Sequence, residues 1–297
     1  MNYLSVAEMA KKWNMSERGV RNYCAQNKIP GAFLTGKTWN IPENAEKPIR
    51  KNKKSNEPKN LLERLKEEKA ASLKGGIYHK IQIELTYNSN HIEGSKLTHD
   101  QTRYIFETNT VGMENEVLNV DDIIETANHF KCIDMIIENA AYKLTEKVIK
   151  TLHLTLKSGT SDSRKAWFNV GEYKRLPNEV GGRETASPEA VPQQIKELLQ
   201  SYNQKRFHSL EEIIDFHYRF EMIHPFQDGN GRVGRLIMFK ECLKNNIVPF
   251  IIDDSLKIFY YRGLSEWNSG RGYLLDTCLT AQDRFKQYLD YFKIPYN

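Results

Sequence analysis

Apolar residues recur at three- and four-residue intervals along most of this 297-residue chain, a spacing that predicts helices. Such stretches cover residues 61–68, 77–92, 123–137, 144–156, 190–202, 210–223, 232–243 and 285–292. Period-two alternation is almost absent. One candidate hairpin spans residues 171–185, with Gly181-Gly182 near its turn. The pattern predicts a mainly α body with one small β element.

The first fifth of the chain reads differently. Ser5 and Glu8 have capping-box spacing, and Ala7, Met9, Ala10 and Trp13 continue an apolar helical stripe. Asn14-Met15 is a break, after which Ser16 can cap a second helix containing Val20 and Tyr23. Residues 33–42 read as a hairpin turning at Gly36-Lys37. Helix, turn, helix and hairpin within 50 residues resemble the excisionase-type winged helix-turn-helix family over residues 3–48. The resemblance implies DNA binding, with Arg18, Arg21 and Asn22 facing a groove and Lys37 at the wing tip near phosphates. Solvated surface charge on a docking module is the plainer alternative.

Charge supports the division. The net charge is +5, yet residues 1–60 carry 12 Lys and Arg against 5 Asp and Glu, and the remainder is slightly acidic. A basic module that meets a polyanion, joined to a near-neutral body, is the expectation. Domain limits follow at 1–48 for the module, 49–60 for a polar basic linker and 61–297 for the body. The longest apolar run, residues 247–252, contains Pro249 and falls far short of the ~20 residues of a membrane span. No secretory signal is visible. Four cysteines without a C-x-x-C pair read as reduced thiols of a cytoplasmic protein.

Chemistry concentrates in residues 224–235, His-Pro-Phe-Gln-Asp-Gly-Asn-Gly-Arg-Val-Gly-Arg. The helical spacing before it ends near His224, because Pro225 disfavours helical geometry there. Gly229 and Gly231 open backbone conformations and let a ligand approach the main chain. A new helix begins near Asn230-Gly231-Arg232, and its free N–H groups form an anion site. Arg232 and Arg235 share a face of that helix. Asp228 can hold a divalent cation. A proton acceptor, a cation ligand, an anion nest and two arginines describe a polyphosphate site.

This stretch resembles the signature of Fic-domain proteins, H-x-F-x-[D/E]-G-N-G-R-x-x-R, at every defined position, with weaker resemblance over residues 75–295. The resemblance implies a Fic-type helical domain with a β-hairpin flap. It also implies AMP transfer from ATP to Ser, Thr or Tyr hydroxyls of a target protein, with Mg²⁺ as cofactor. Carried over by position, His224 is the base and Asp228 the Mg²⁺ ligand. Gly229, Asn230 and Gly231 hold the α-phosphate, Arg232 the β-phosphate and Arg235 the γ-phosphate. Phe226 anchors the loop in the core. The segment from Gly171-Glu172-Tyr173-Lys174-Arg175 to Pro192 resembles the flap that binds target backbone by strand addition. Tyr261 and Asn268, seven residues apart on an expected helix, match the adenine-side pair. The segment 247–255, with Asp253-Asp254, departs from the family's usual hydrophobic run.

Many Fic proteins carry an inhibitory helix, [S/T]-x-x-x-E-[G/N], whose Glu pairs with the second motif arginine. Two stretches fit: Ser89 to Gly94 with Glu93, and Thr110 to Asn115 with Glu114. The first closes an expected helix and reads Ser-Asn-His-Ile-Glu-Gly, so Ser89, Glu93 and Gly94 are the assigned brake. The expectation is an autoinhibited adenylyltransferase without a membrane partner. Self-modification and a homodimer stay open. The rivals are AMP removal at the same site, a DNA-bound regulator that only senses nucleotide, and a metal hydrolase built on His217, Glu221 and His224.

Overall fold

A computed structural model describes residues 2–48, 60–112 and 117–296. The expected linker, apart from residue 60, lies outside the described residues, as do Glu114 and Asn115 of the alternative inhibitory stretch. The chain divides into two compact units, Met1–Glu57 and Pro58–Asn297.

In the first unit, β1 (Tyr3–Leu4) leads into α1 (Val6–Lys12), and α2 (Glu17–Ala25) precedes a hairpin of β2 (Phe33–Thr35) and β3 (Thr38–Pro42). The Ser5 hydroxyl accepts from the Glu8 N–H while the Glu8 carboxylate accepts from the Ser5 N–H, which satisfies two free donors at the start of α1. Asn14 takes a left-handed conformation (φ 48°) between the helices. The sheet is antiparallel in the order β1-β3-β2, with Leu4 opposite Ile41 and Leu34 opposite Trp39. Met9, Trp13, Val20, Cys24, Ile29 and Ile41 form its core. Strand β1 was not expected, since two residues carry no readable period.

The second unit is helical: α3 (Leu61–Ala70), α4 (Ile77–Ile92), α5 (His99–Thr108), α6 (Val120–Glu138), α7 (Glu146–Lys157), α8 (Val191–Tyr202), α9 (Leu210–Ile223), α10 (Asn230–Lys244), α11 (Lys257–Glu266) and α12 (Gly272–Tyr291). Between α7 and α8 lies a two-stranded hairpin, β4 (Glu179–Val180) and β5 (Arg183–Glu184), shorter than the 171–185 expected but turning at Gly181-Gly182. Helix α10 is buried on all sides from Arg232 to Leu243, as a helix at the centre of a bundle must be. It packs on α4, α6, α7 and α9. That central position places its N-terminus, and the loop leading into it, where several helices converge.

Three elements differ from expectation. Helix α5 has no apolar stripe to announce it; its buried face includes Gln101 and Thr102 beside Ile105. Helix α12 starts at Gly272 rather than near residue 285, because its first half buries Thr277, Cys278 and Ala281 along with Leu274. Helix α11 ends at Glu266, so Asn268 lies in the turn beyond it and not on one helical face with Tyr261. No helix among the described residues is long and apolar enough to cross a membrane, and all four cysteines are free and buried.

Candidate active site

Helix α9 ends at His224, which adopts the left-handed conformation (φ 50°, ψ 62°). Non-glycine residues seldom adopt it, and it persists only where surrounding contacts fix it. Here they do. Phe226 is fully buried and stacks on the His153 ring at 3.9 Å and 6°. The Asn230 side chain donates to the Phe226 carbonyl and accepts from the Phe226 N–H, both at 2.8 Å. Both ends of that amide are thus engaged in bracing the loop. Gly229 turns the chain at φ 85°, and α10 begins.

His153 holds the loop from below. Its Nδ1 accepts from the Gly171 N–H at 2.9 Å, so Nε2 carries the proton and donates to the Asp228 carbonyl at 3.1 Å. Burial pushes this imidazole down to about 3, and it stays neutral.

The two motif arginines point into the same region and meet different partners. Arg232 pairs with Glu125 of α6 and, at 3.2 Å, with the Asp228 carboxylate. Lys157 of α7, only 2% exposed, pairs with Glu125, with Asp162 at 3.0 Å and with Asp228 at 2.6 Å. Burial alone would raise the Asp228 carboxyl, but the Arg232 and Lys157 cations outweigh it and hold it well below the usual carboxylate range. Arg235 donates to the Ser89 hydroxyl at 3.0 Å, to the Ser89 carbonyl at 2.9 Å and to the Glu93 carboxylate at 2.7 Å. Burial would lower the Arg235 guanidinium, but Glu93 raises it further still.

Glu93 sits at the C-terminal end of α4, where Gly94 (φ 97°) stops the helix. Its carboxylate lies so close over Gly231 that a Cβ there would collide with it and with Arg235. The anion site at the start of α10 is therefore filled by a carboxylate of the same chain.

His224 is 17% exposed at its side chain. Burial, then the nearby Lys174 ammonium, pushes its imidazole down to about 4, so it is neutral at pH 7. Its buried Nδ1 faces the Glu221 carboxyl at 3.8 Å, which leaves Nε2 for a partner outside. Burial raises Glu221 to about 8 against the opposing pull of Arg235.

Around this centre, Tyr261 reaches the Ile92 carbonyl at 3.5 Å, while Asn268 is exposed in its turn. The β4–β5 hairpin is tied to the motif loop by the Lys174 N–H to the Pro225 carbonyl (2.9 Å) and the Asn178 amide to the Phe226 carbonyl (3.0 Å). Arg183 at its tip donates to the Ser265 carbonyl at the end of α11 (3.1 Å). The geometry gives no support to a metal hydrolase. Buried His217 bonds the Tyr260 hydroxyl at 2.7 Å, and no cluster of three His, Cys, Asp or Glu among the described residues could hold a metal ion. In the separate N-terminal unit, Arg18, Arg21 and Asn22 are exposed on α2, and Lys37 lies in the turn between β2 and β3.

The sequence does not mark Glu125, His153 or Lys157 as members of the site, and it marks Lys174 only as part of the flap segment. For Glu125, His153 and Lys157 the partners in the motif loop and helix lie far away in the chain (107, 75 and 71 residues), and none of the three sits in a contiguous pattern. The one available signal was a lysine and a histidine, Lys157 and His153, at inward positions of an otherwise apolar helix face.

Residues 143–242 match the Fic/DOC family. Over 198 residues, 62% of this chain, it is 28% identical to "Protein adenylyltransferase Fic" of Drosophila grimshawi, and over 187 residues 26% identical to the protein of that name from Nematostella vectensis. The aligned parts are 38% and 43% of those relatives, so the chain spans about two fifths of their length. Among solved structures, a Fic domain containing signaling protein from Bacteroides thetaiotaomicron superposes with a TM-score of 0.62 at 25% identity, covering 77% of this chain and 94% of that one. Fic-1 from C. elegans superposes at 0.61 with 18% identity, covering 78% of this chain and 71% of that one. The body of the chain is a mainly helical Fic fold with a small antiparallel hairpin, and its Fic/DOC match contains the whole 224–235 loop.

Proposed function

We propose that this protein is an autoinhibited protein adenylyltransferase, which moves AMP from ATP to a Ser, Thr or Tyr hydroxyl of a protein. The observation that carries the reading is the Glu93–Arg235 pair at 2.7 Å over Gly231, opposite a neutral buried histidine. One pocket then holds a base, an anion nest and an internal anion that already fills it.

The target hydroxyl gives its proton to His224 Nε2 as its oxygen bonds to the α-phosphorus. The bond from that phosphorus to the bridging oxygen of the β-phosphate breaks, and pyrophosphate leaves. A base must be neutral to act, and burial beside Lys174 keeps His224 so. Amides of Gly229, Asn230 and Gly231 hold the α-phosphate. Arg232, fixed by Glu125, meets the β-phosphate, and Arg235 meets the γ-phosphate once Glu93 leaves it. The Asn230 side chain contributes by bracing the loop. Asp228 fits Mg²⁺: it is ionised and half-exposed, and magnesium in nucleotide sites takes one or two carboxylates with phosphate oxygens and water. When bound, the ion would neutralise charge on the α- and β-phosphates. Tyr261, near Ile92, borders the adenine side; Asn268 is a weaker candidate there.

Inhibition is electrostatic and intramolecular. Glu93 removes the cation meant for the γ-phosphate and puts negative charge where that group must sit. The helix ends at Gly94, so the carboxylate hangs on a helix terminus that can give way.

Intact mass spectrometry after incubation with Mg²⁺ and ATP tests the reading in wild type, Glu93→Gly and Glu93→Gly/His224→Ala. An AMP-sized gain is expected in the single variant, small in wild type and absent in the double variant. No gain in any of them, with or without added protein extract, overturns it in favour of AMP removal or nucleotide sensing.

A second reading concerns the N-terminal unit, for which we propose DNA binding as a winged helix-turn-helix module. Exposed Arg18, Arg21 and Asn22 on one helix and Lys37 at a hairpin tip support it. DNA affinity of the full chain should fall steeply with salt and lose slope when Arg18, Arg21 and Lys37 are replaced by alanine; a flat salt response removes the idea.

A further inference from the structure

Lys174 is 4% exposed and carries its charge among neutral oxygens. Its ammonium donates to Asn178 Oδ1 at 2.7 Å, to Thr185 Oγ1 at 2.6 Å and, more weakly, to the Ile223 carbonyl at 3.4 Å. Among the described residues no carboxylate pairs with it. Burial draws it down to about 8. A buried ammonium without a counter-ion is costly, and lysines tolerated in that state are concentrated where they serve a site.

Its contacts have one common object. The side chain holds the carbonyl of Ile223, and the main-chain N–H of the same residue holds the carbonyl of Pro225 at 2.9 Å. These are the residues on either side of His224, whose left-handed backbone requires such restraint. The remaining two bonds go to Asn178 and Thr185, which flank the β4–β5 hairpin. Asn178 in turn holds the Phe226 carbonyl. One side chain thus joins the base to the hairpin across a gap of 49 residues in sequence.

We propose that Lys174 is a positioning residue for His224: it locks the strained backbone of the base through the Ile223 and Pro225 carbonyls and fixes the flap relative to it through Asn178 and Thr185. This rests on the adenylyltransferase reading for its rate effect, but not for its effect on the imidazole. The titratable and charged groups facing His224 are Lys174 from the segment before the flap, the buried Glu221 carboxyl on its own helix, Glu93 from α4 and Asp228 from the loop. Only Lys174 among them is a cation. Removing it should let His224 take a proton at higher pH, whereas a purely structural lysine would not set that midpoint.

The experiment uses the full chain carrying Glu93→Gly as parent, with Lys174→Met and Lys174→Arg added singly. The His224 ring is followed by NMR through a pH titration, and AMP transfer is followed by mass. In Lys174→Met the His224 midpoint should rise from about 4 by about one pH unit. Transfer at pH 7.5 should fall on the order of 10²-fold, the scale of a misplaced catalytic group. Lys174→Arg should hold the midpoint near the parent value and restore at least a tenth of the rate. If Lys174→Met does not fold, Lys174→Gln keeps a donor without the charge and carries the same test. An unmoved midpoint, or a rate within threefold of the parent, overturns the assignment. Should the parent itself transfer nothing, the adenylyltransferase reading fails, and the titration alone decides for or against Lys174.

Discussion

Arg232 and Arg235 stand three residues apart on α10 and are equally buried, at 5% side-chain exposure each, yet their partners differ in kind. Arg232 meets Glu125, 11% exposed in the second turn of the 19-residue helix α6, and the same carboxylate holds Lys157. Arg235 meets Glu93, 29% exposed at the C-cap just beyond α4 with a glycine behind it. A buried pair embedded in a network resists removal, because each charge left alone must be desolvated without compensation. A pair with one partner half open to water, on a helix end, can be opened by an anion that offers the same charge. The first arginine is anchored; the second is loaned to a carboxylate.

The largest effect expected from this contrast is at Glu125. Replacing it by alanine leaves Arg232 and Lys157 buried with Asp228 as their shared remaining partner, together with Asp162 for Lys157. Breaking a buried ion pair from one side costs about 3–5 kcal/mol. Urea unfolding of Glu125→Ala should show a loss of that size. A loss under about 1 kcal/mol would mean that the pair is no firmer than a surface one, and the contrast would collapse.

Next comes Glu93→Gly, where the same logic predicts the opposite division. Its stability change should be small, because the partly exposed carboxylate returns to water and Arg235 keeps both Ser89 acceptors. Transfer of AMP should rise on the order of 10²-fold, about what is recovered when one fully misdirected charge contact in a preorganised site is set right. Urea unfolding and mass measurement on one sample check both halves. A variant that unfolds readily and transfers no faster would make Glu93 a structural residue like Glu125.

The same contrast explains what could be read from the sequence. The 224–235 loop was legible because its parts are contiguous: a helix end at His224, glycines at 229 and 231, and arginines one turn apart. The sixteen residues of α4 and the turn at Gly94 were legible too, since Ile77, Ile81, Leu85 and Ile92 mark the helix and glycine marks its stop. The pairing of Glu93 with Arg235, 142 residues away, was expected only through the resemblance to the Fic inhibitory pattern, which neither periodicity nor spacing supplies. Glu125 and Lys157 could not be read. Each sits within a helix whose apolar residues define the period, and a charged side chain on the inner face has no spacing relation to a partner on another helix. Helix α5 and the first half of α12 escaped for a related reason, since burial of Gln101, Thr102, Thr277 and Cys278 erases the polar–apolar contrast on which periodicity depends.

The smallest predicted effect sharpens the comparison most. Ser89 accepts from Arg235 through its hydroxyl at 3.0 Å and through its carbonyl at 2.9 Å, so the guanidinium is held to α4 by two bonds besides the one to Glu93. If Arg235 is loaned, its release is graded by how many of these must open. Ser89→Ala removes one and keeps the carbonyl and the carboxylate. A hydrogen bond to a charged group contributes about 1.5–3 kcal/mol when intact, but a guanidinium freed from one hydroxyl keeps other acceptors within reach, so only part of that appears as activation. Self-modification by Ser89→Ala should therefore exceed wild type severalfold and stay well below Glu93→Gly, and the double variant should match Glu93→Gly rather than exceed it. A double variant that is faster than either would show the hydroxyl restraining Arg235 independently of the carboxylate. The brake would then be the whole end of α4, with Glu93 as one contact among several.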